Sequence, residues 1–87
     1  EALHISSGLL RNEAEYNSDL ALVNSLTQRE YQVFSLLITG MLNKQIAAEL
    51  NIAEHTVKLH RGRITGKLGI KSVAEMVHLA EKLKISR

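Results

Sequence analysis

Asn43-Lys44-Gln45-Ile46-Ala47-Ala48-Glu49-Leu50-Asn51-Ile52-Ala53-Glu54-His55-Thr56-Val57-Lys58-Leu59-His60-Arg61-Gly62-Arg63-Ile64-Thr65-Gly66-Lys67-Leu68 holds two helical patterns separated by a short connection. In the first, Ile46, Ala47 and Leu50 share one face, and Asn43 is a suitable cap for a helix over 44–50. Asn51 tolerates a left-handed backbone, and Ile52 is apolar enough to plug the corner between two helices. The second helix is expected over 54–68 with its stop at Gly69. At 100° per residue Val57, Ile64 and Leu68 form its core stripe, with Arg61 beside the stripe and His60 on its flank.

The opposite side of that helix carries His55, Lys58, Leu59, Gly62, Arg63 and Gly66, an odd set for an ordinary solvent face. Each glycine inside an exposed helix costs about 1 kcal/mol relative to alanine. Close approach of another surface explains two of them on one face. Leu59 in the middle suggests an apolar contact outside the domain, although a lone exposed leucine is ordinary.

Upstream, Thr27 and Glu30 have the spacing of a capping box, and Leu26 precedes them as a staple. A helix over 28–39 follows, buried through Val33, Phe34, Leu36, Leu37 and Ile38 and ended at Gly40. Downstream, Ser72 and Glu75 repeat the spacing and open a helix over 73–83. Met76, Leu79, Ala80 and Leu83 supply its inner face, while Val73, Val77 and Ala80 form a second apolar line. That line fits a partner helix or its own small core, and exposure of Val73 and Val77 decides between them.

Residues 1–25 carry loosely spaced apolar positions broken by Ser6-Ser7-Gly8 and Asn17-Ser18-Asp19, the pattern of a partly helical linker or a frayed end. The expectation is therefore all-α: a four-helix bundle over 26–87 preceded by an interdomain linker over 1–25. Eighty-seven residues, 45% of them hydrophobic, suffice for only one modest core. Without cysteine there is no disulfide framework or thiolate metal site, and no apolar run approaches the roughly 20 residues of a spanning helix. A soluble, cytoplasmic chain without membrane contact is expected.

The net charge of +2 is unevenly spread. Residues 1–30 hold Arg11 and Arg29 against Glu1, Glu13, Glu15, Asp19 and Glu30, whereas 55–71 hold Lys58, Arg61, Arg63, Lys67 and Lys71 with no carboxylate. Concentrated positive potential suits a polyanion, although a charge run alone is equally a solvated helix face. A short helix, a turn of about three or four residues and a longer helix constitute a helix-turn-helix, whose second helix fits a major groove about 12 Å wide. Lys58 and Arg63 can donate there to guanine or to phosphate, Leu59 can touch a thymine methyl, and Gly62 leaves room. Thr56 and the free amides beside it suit a phosphate, while Lys44, Arg61 and Lys67 would seat the unit on the backbone. His55, on the outward face, completes the expected DNA-binding set.

With those residues in view, the sequence resembles the LuxR-type helix-turn-helix domain, the output module of many bacterial response regulators. The resemblance covers about Leu26 to Ala80 and rests on Leu26-Thr27-Gln28-Arg29-Glu30, Gly40, Asn43-Lys44-Gln45-Ile46-Ala47, Thr56-Val57-Lys58-Leu59-His60 and Lys67-Leu68-Gly69-Ile70. His60-Arg61-Gly62-Arg63-Ile64 is most similar to the FixJ-like branch. The resemblance implies base reading at Lys58, Leu59 and Gly62, phosphate contact at Thr56 and Lys44, and dimerisation through Val73, Val77 and Ala80 of the last helix. It also implies transcriptional control on an inverted repeat in double-stranded DNA, RNA polymerase as a further partner, and a phosphorylated receiver domain before the linker. Asp19, the only aspartate in the chain, is a poor candidate for that phosphoacceptor. Two positions depart from the family pattern. Ala53 stands where a capping Ser or Thr is usual, and Gly62 stands where some relatives carry a long polar side chain, which shifts readout toward Arg63.

Other classes fit less well. His4, His55, His60 and His78 have neither metal-ligand spacing nor catalytic company, so no enzyme, cofactor, catalytic residue or metal is expected. A helical module whose basic face meets an acidic protein shares the same pattern, because fold does not fix function. So does a LuxR-type regulator with a sensor domain that is not phosphorylated.

Overall fold

The structure, a computed structural model, describes residues 17–85. The first sixteen residues of the expected linker, His4 among them, lie outside the described residues. The described residues form α1 (17–24), α2 (Gln28–Leu37), α3 (Asn43–Leu50), α4 (Glu54–Leu68) and α5 (Val73–Lys82), with no strand among them. The all-α expectation stands. None of these helices is long and apolar enough to cross a membrane.

Local chemistry places most of the boundaries. The hydroxyl of Thr27 accepts from the Glu30 amide at 3.1 Å while Oε1 of Glu30 accepts from the Thr27 amide at 2.9 Å, so the expected capping box is complete. Asn51 adopts φ 57° and ends α3, and Gly69 adopts φ 69° and ends α4, both in the left-handed region. Ser72 Oγ accepts from the Glu75 amide at 3.2 Å, but Glu75 Oε2 reaches the Lys71 amide rather than that of Ser72. At α3 the sequence expectation is off by one residue. Leu42 is the cap and Asn43 the first helical residue, and Gln45 Oε1 accepts from the Leu42 amide at 2.8 Å. The side chain of Asn43 is thereby released for a longer-range bond.

The core comprises Val33, Phe34, Leu36 and Leu37 from α2, Ile46 and Ala47 from α3, Val57, Ile64 and Leu68 from α4, and Met76, Leu79 and Ala80 from α5, with Leu83 just beyond. Burying each large aliphatic or aromatic side chain is worth about 1.5–3 kcal/mol. α4 packs on both α2 and α3, and α5 closes over α2. Two differences from the sequence expectation follow from this packing. Val23 of α1 is only 4% exposed and enters the core, so the packed unit begins upstream of Leu26. Ala80, expected both on the inner face of α5 and at a dimer seam, is 2% exposed and takes the inner place only, in the core of its own chain. Val73 and Val77 are half-buried.

Candidate nucleic-acid interface

α4 is amphipathic with respect to packing rather than to hydropathy. Val57, Ile64 and Leu68 are buried, while His55, Lys58, Leu59, Gly62, Arg63 and Gly66 are exposed along the opposite side. Leu59 retains 51% of its surface in the middle of that strip. A Cβ added at Gly62 or Gly66 would meet nothing within 4 Å, so neither glycine relieves a crowded contact inside the domain.

The start of α4 is open. Ala53 is its cap, with extended backbone and no side-chain hydrogen bond to the first turn. The Thr56 and Val57 amides donate back to the Ala53 carbonyl at 3.0 and 3.2 Å, leaving those of Glu54 and His55 without that closure. Thr56 is half-buried beside them. Glu54 is exposed in the first turn, where a carboxylate is favoured by the helix dipole.

Two basic flanks border the outward strip. On the α3 side, Lys44 is exposed near the helix start, and the half-buried Arg61 donates from Nη1 to Asn43 Oδ1 at 3.3 Å. These residues share one open depression with Met41, Leu42 and Val73. On the α2 side, Lys67 donates from Nζ to Glu30 Oε1 at 2.7 Å and to the Ser25 carbonyl at 3.2 Å. Lys67, expected on phosphate, has a side chain 37% exposed and an ammonium with these two acceptors in its own domain. That hydrogen bond from Lys67, followed by the one from the Thr27 amide, holds the buried Glu30 carboxyl below its ordinary value, with the charges of Lys67 and Arg63 adding to the effect. Burial alone would push it up.

The outward set expected from the sequence thus lies together on one face, whereas Arg61 and Lys67 flank it with intramolecular partners. Several features escaped sequence reasoning. Leu42 keeps 68% of its surface exposed at the start of α3. The Nδ1 of His60, whose half-buried place on the flank of α4 was expected, makes no hydrogen bond. Lys82 pairs with Asp19 of α1 at 2.8 Å. Helical periodicity signals none of these.

Residues 24–80 match the description of bacterial regulatory proteins of the luxR family. The chain belongs to that family. Nodulation protein W of Bradyrhizobium diazoefficiens is 44% identical over 66 residues, which are 76% of this chain and 29% of that protein. The response regulator StyR superimposes with a TM-score of 0.87 at 46% identity, covering 92% of this chain and 40% of the other. Full-length FixJ from B. japonicum superimposes with a TM-score of 0.83 at 32% identity, covering 99% and 42%. This luxR-family domain therefore spans well under half the length of each of these relatives. It is a LuxR-type helix-turn-helix unit homologous to transcriptional response regulators, with α3 as the brace and α4 as the second helix of the motif.

Proposed function

We propose that the domain binds double-stranded DNA selectively, as the output module of a cytoplasmic two-component response regulator that controls transcription. The observation that carries this reading is the outward side of α4, where Gly62 and Gly66 face open space next to exposed Lys58, Leu59 and Arg63. Two helix-interior glycines with no contact to relieve in their own domain weaken the helix by about 1 kcal/mol each. An approaching duplex gives them a use. Lys58 and Arg63 then address base edges or the adjoining phosphates, Leu59 a thymine methyl, and His55 the groove wall. Thr56, the open amides of α4 and Lys44 hold phosphate oxygens. Arg61 and Lys67 act chiefly by fixing α4 in place.

A second copy completes the reader. Pairing through the half-buried Val73 and Val77 of α5 places two α4 helices in major-groove segments about one turn apart on an inverted repeat. The deciding experiment selects duplexes from a random pool and titrates the selected sequence at several salt concentrations. Affinity that falls steeply with salt yet keeps a sequence preference is expected. Failure to bind any duplex in the pool sinks the reading, and binding to an acidic protein instead would assign the basic face to a protein partner.

A further inference from the structure

Lys67 is the second-to-last residue of α4, and its ammonium holds two acceptors remote in sequence. One is Glu30 Oε1, 37 positions earlier, in a carboxylate whose side chain is 3% exposed. The other is the carbonyl of Ser25, 42 positions earlier, where α1 gives way to α2. α1 is otherwise attached by Val23 in the core, by the half-buried Leu20 packed against it and by the Asp19–Lys82 pair at 2.8 Å. The C-terminal end of the reading helix, the capping box of α2 and the end of α1 therefore meet at one nitrogen. Charge-assisted bonds of this kind are roughly twice as strong as neutral ones, and the Glu30 carboxylate is fixed independently by the Thr27 amide. Arg63, one turn earlier on the same flank of α4, belongs to the outward set and stands close enough to lower the Glu30 pKa. A shift of Lys67 relative to α1 thus moves the part of α4 that carries Arg63.

We propose that Lys67 is a positioning residue that joins α1 to the reading helix, so that the seating of α1 on the domain and the affinity for DNA are thermodynamically coupled. The proposal rests on the DNA-reading function above. Coupling between two sites is reciprocal, so DNA bound at α4 must stabilise the seating of α1 by the factor that α1 lends to DNA binding. The Ser25 and Leu26 amides are the reporters. They close the end of α1 by donating to the carbonyls of Ala21 and Leu22 and of Val23, at 3.0 to 3.1 Å.

The test measures amide hydrogen exchange at Ser25 and Leu26 in the whole chain, with and without the selected duplex, together with affinity at several salt concentrations. In the parent, DNA should slow exchange at both amides by roughly five- to 150-fold, the usual range for such couplings. Lys67→Met should lose that protection and a similar factor in affinity with an unchanged salt slope, and Lys67→Arg should restore part of both. Asp19→Lys, which sets an ammonium against Lys82 and leaves the Lys67 bonds in place, should also loosen α1 and weaken DNA binding. If Lys67→Met lowers the salt slope by about 0.9 and leaves exchange as it was, Lys67 is a phosphate ligand and the coupling is overturned. A variant that only melts earlier, with affinity and exchange unchanged below its transition, overturns it as well. Should the parent bind no duplex, the functional reading fails by itself. The joint is then judged by the free variants, where unchanged exchange at Ser25 in Lys67→Met overturns it.

Discussion

Arg61 donates from Nη1 to Asn43 Oδ1 at 3.3 Å, linking the middle of α4 to the first residue of α3. The bond spans the two helices of the motif outside their apolar contact, and it exists because Asn43 sits one position inside the helix with its side chain free of capping. Asn43→Ala removes the acceptor and leaves a half-buried guanidinium to find water. We expect a loss of about 1 kcal/mol in stability, the usual value for one such hydrogen bond. Urea denaturation at neutral pH checks it, and a double-mutant cycle with Arg61→Met should return most of that energy as coupling. A cycle that closes to zero would show that the two side chains act independently.

The Glu30–Lys67 pair makes the domain acid-sensitive in a defined direction. The folded carboxyl is held below its ordinary value, so its contribution to stability is complete above the unfolded pKa of about 4.3 and disappears as pH falls through the lower folded value. Glu30→Gln should be less stable at neutral pH by about 1–3 kcal/mol and should lose stability less steeply than the parent below pH of about 4.5. Denaturant midpoints collected between neutral and strongly acidic pH decide the matter. Parallel curves for the two proteins would mean that Glu30 has no part in the acid transition.

Much of this architecture was legible because its signals are local. Thr27 and Glu30 are three residues apart, Ser72 and Glu75 likewise, and the left-handed stops at Asn51 and Gly69 need only one residue of the right type. The exposed side of α4 was legible for a similar reason, since one helix with a single buried stripe leaves its other side determined. Features set by packing between distant segments were not. Ala80 lies between two apolar lines of α5, and the packed structure assigns it to the inner one. Its charge and position suggested a phosphate contact for Lys67, but a partner 37 residues away leaves no mark in spacing. α1 was legible only as an irregular pattern because it meets the core through few side chains, the buried Val23 and the half-buried Leu20.

Gly62→Ala separates fold from function. Open space around the added methyl and the better helix propensity of alanine predict a gain of up to about 1 kcal/mol in stability. If α4 lies deep in the major groove, the same methyl should weaken binding to the selected duplex. Thermal melting and a binding titration on one preparation measure both. A more stable protein that binds as tightly as the parent would mean that the duplex does not approach Gly62.

Lys58 is exposed on the strip beside Leu59, with its charge available to a partner. Lys58→Ala should cost about 1–3 kcal/mol of binding and relax the preference at one base position if the side chain reads a base edge. Repeating the duplex selection with the variant gives the answer directly. A uniform loss across all sequences, with the salt slope reduced by about one contact, would move Lys58 to the phosphate backbone.

Val77 tests the partner copy. It is half-buried at the margin of the core, next to the buried Met76 and three residues before the buried Ala80, so part of its side chain faces outward. Val77→Glu puts a carboxylate on that margin, where two copies related by a twofold axis would bring like charges together and leave both desolvated. Binding to an inverted repeat should lose its cooperativity, while binding to a single half-site and the helical content should stay near those of the parent. Because Val77 is half-buried, Val77→Thr serves as a milder companion that keeps the branched shape and exchanges one methyl for a hydroxyl without adding a charge. Should both variants occupy the full site as cooperatively as the parent, the seam between copies runs through some surface other than this edge of α5.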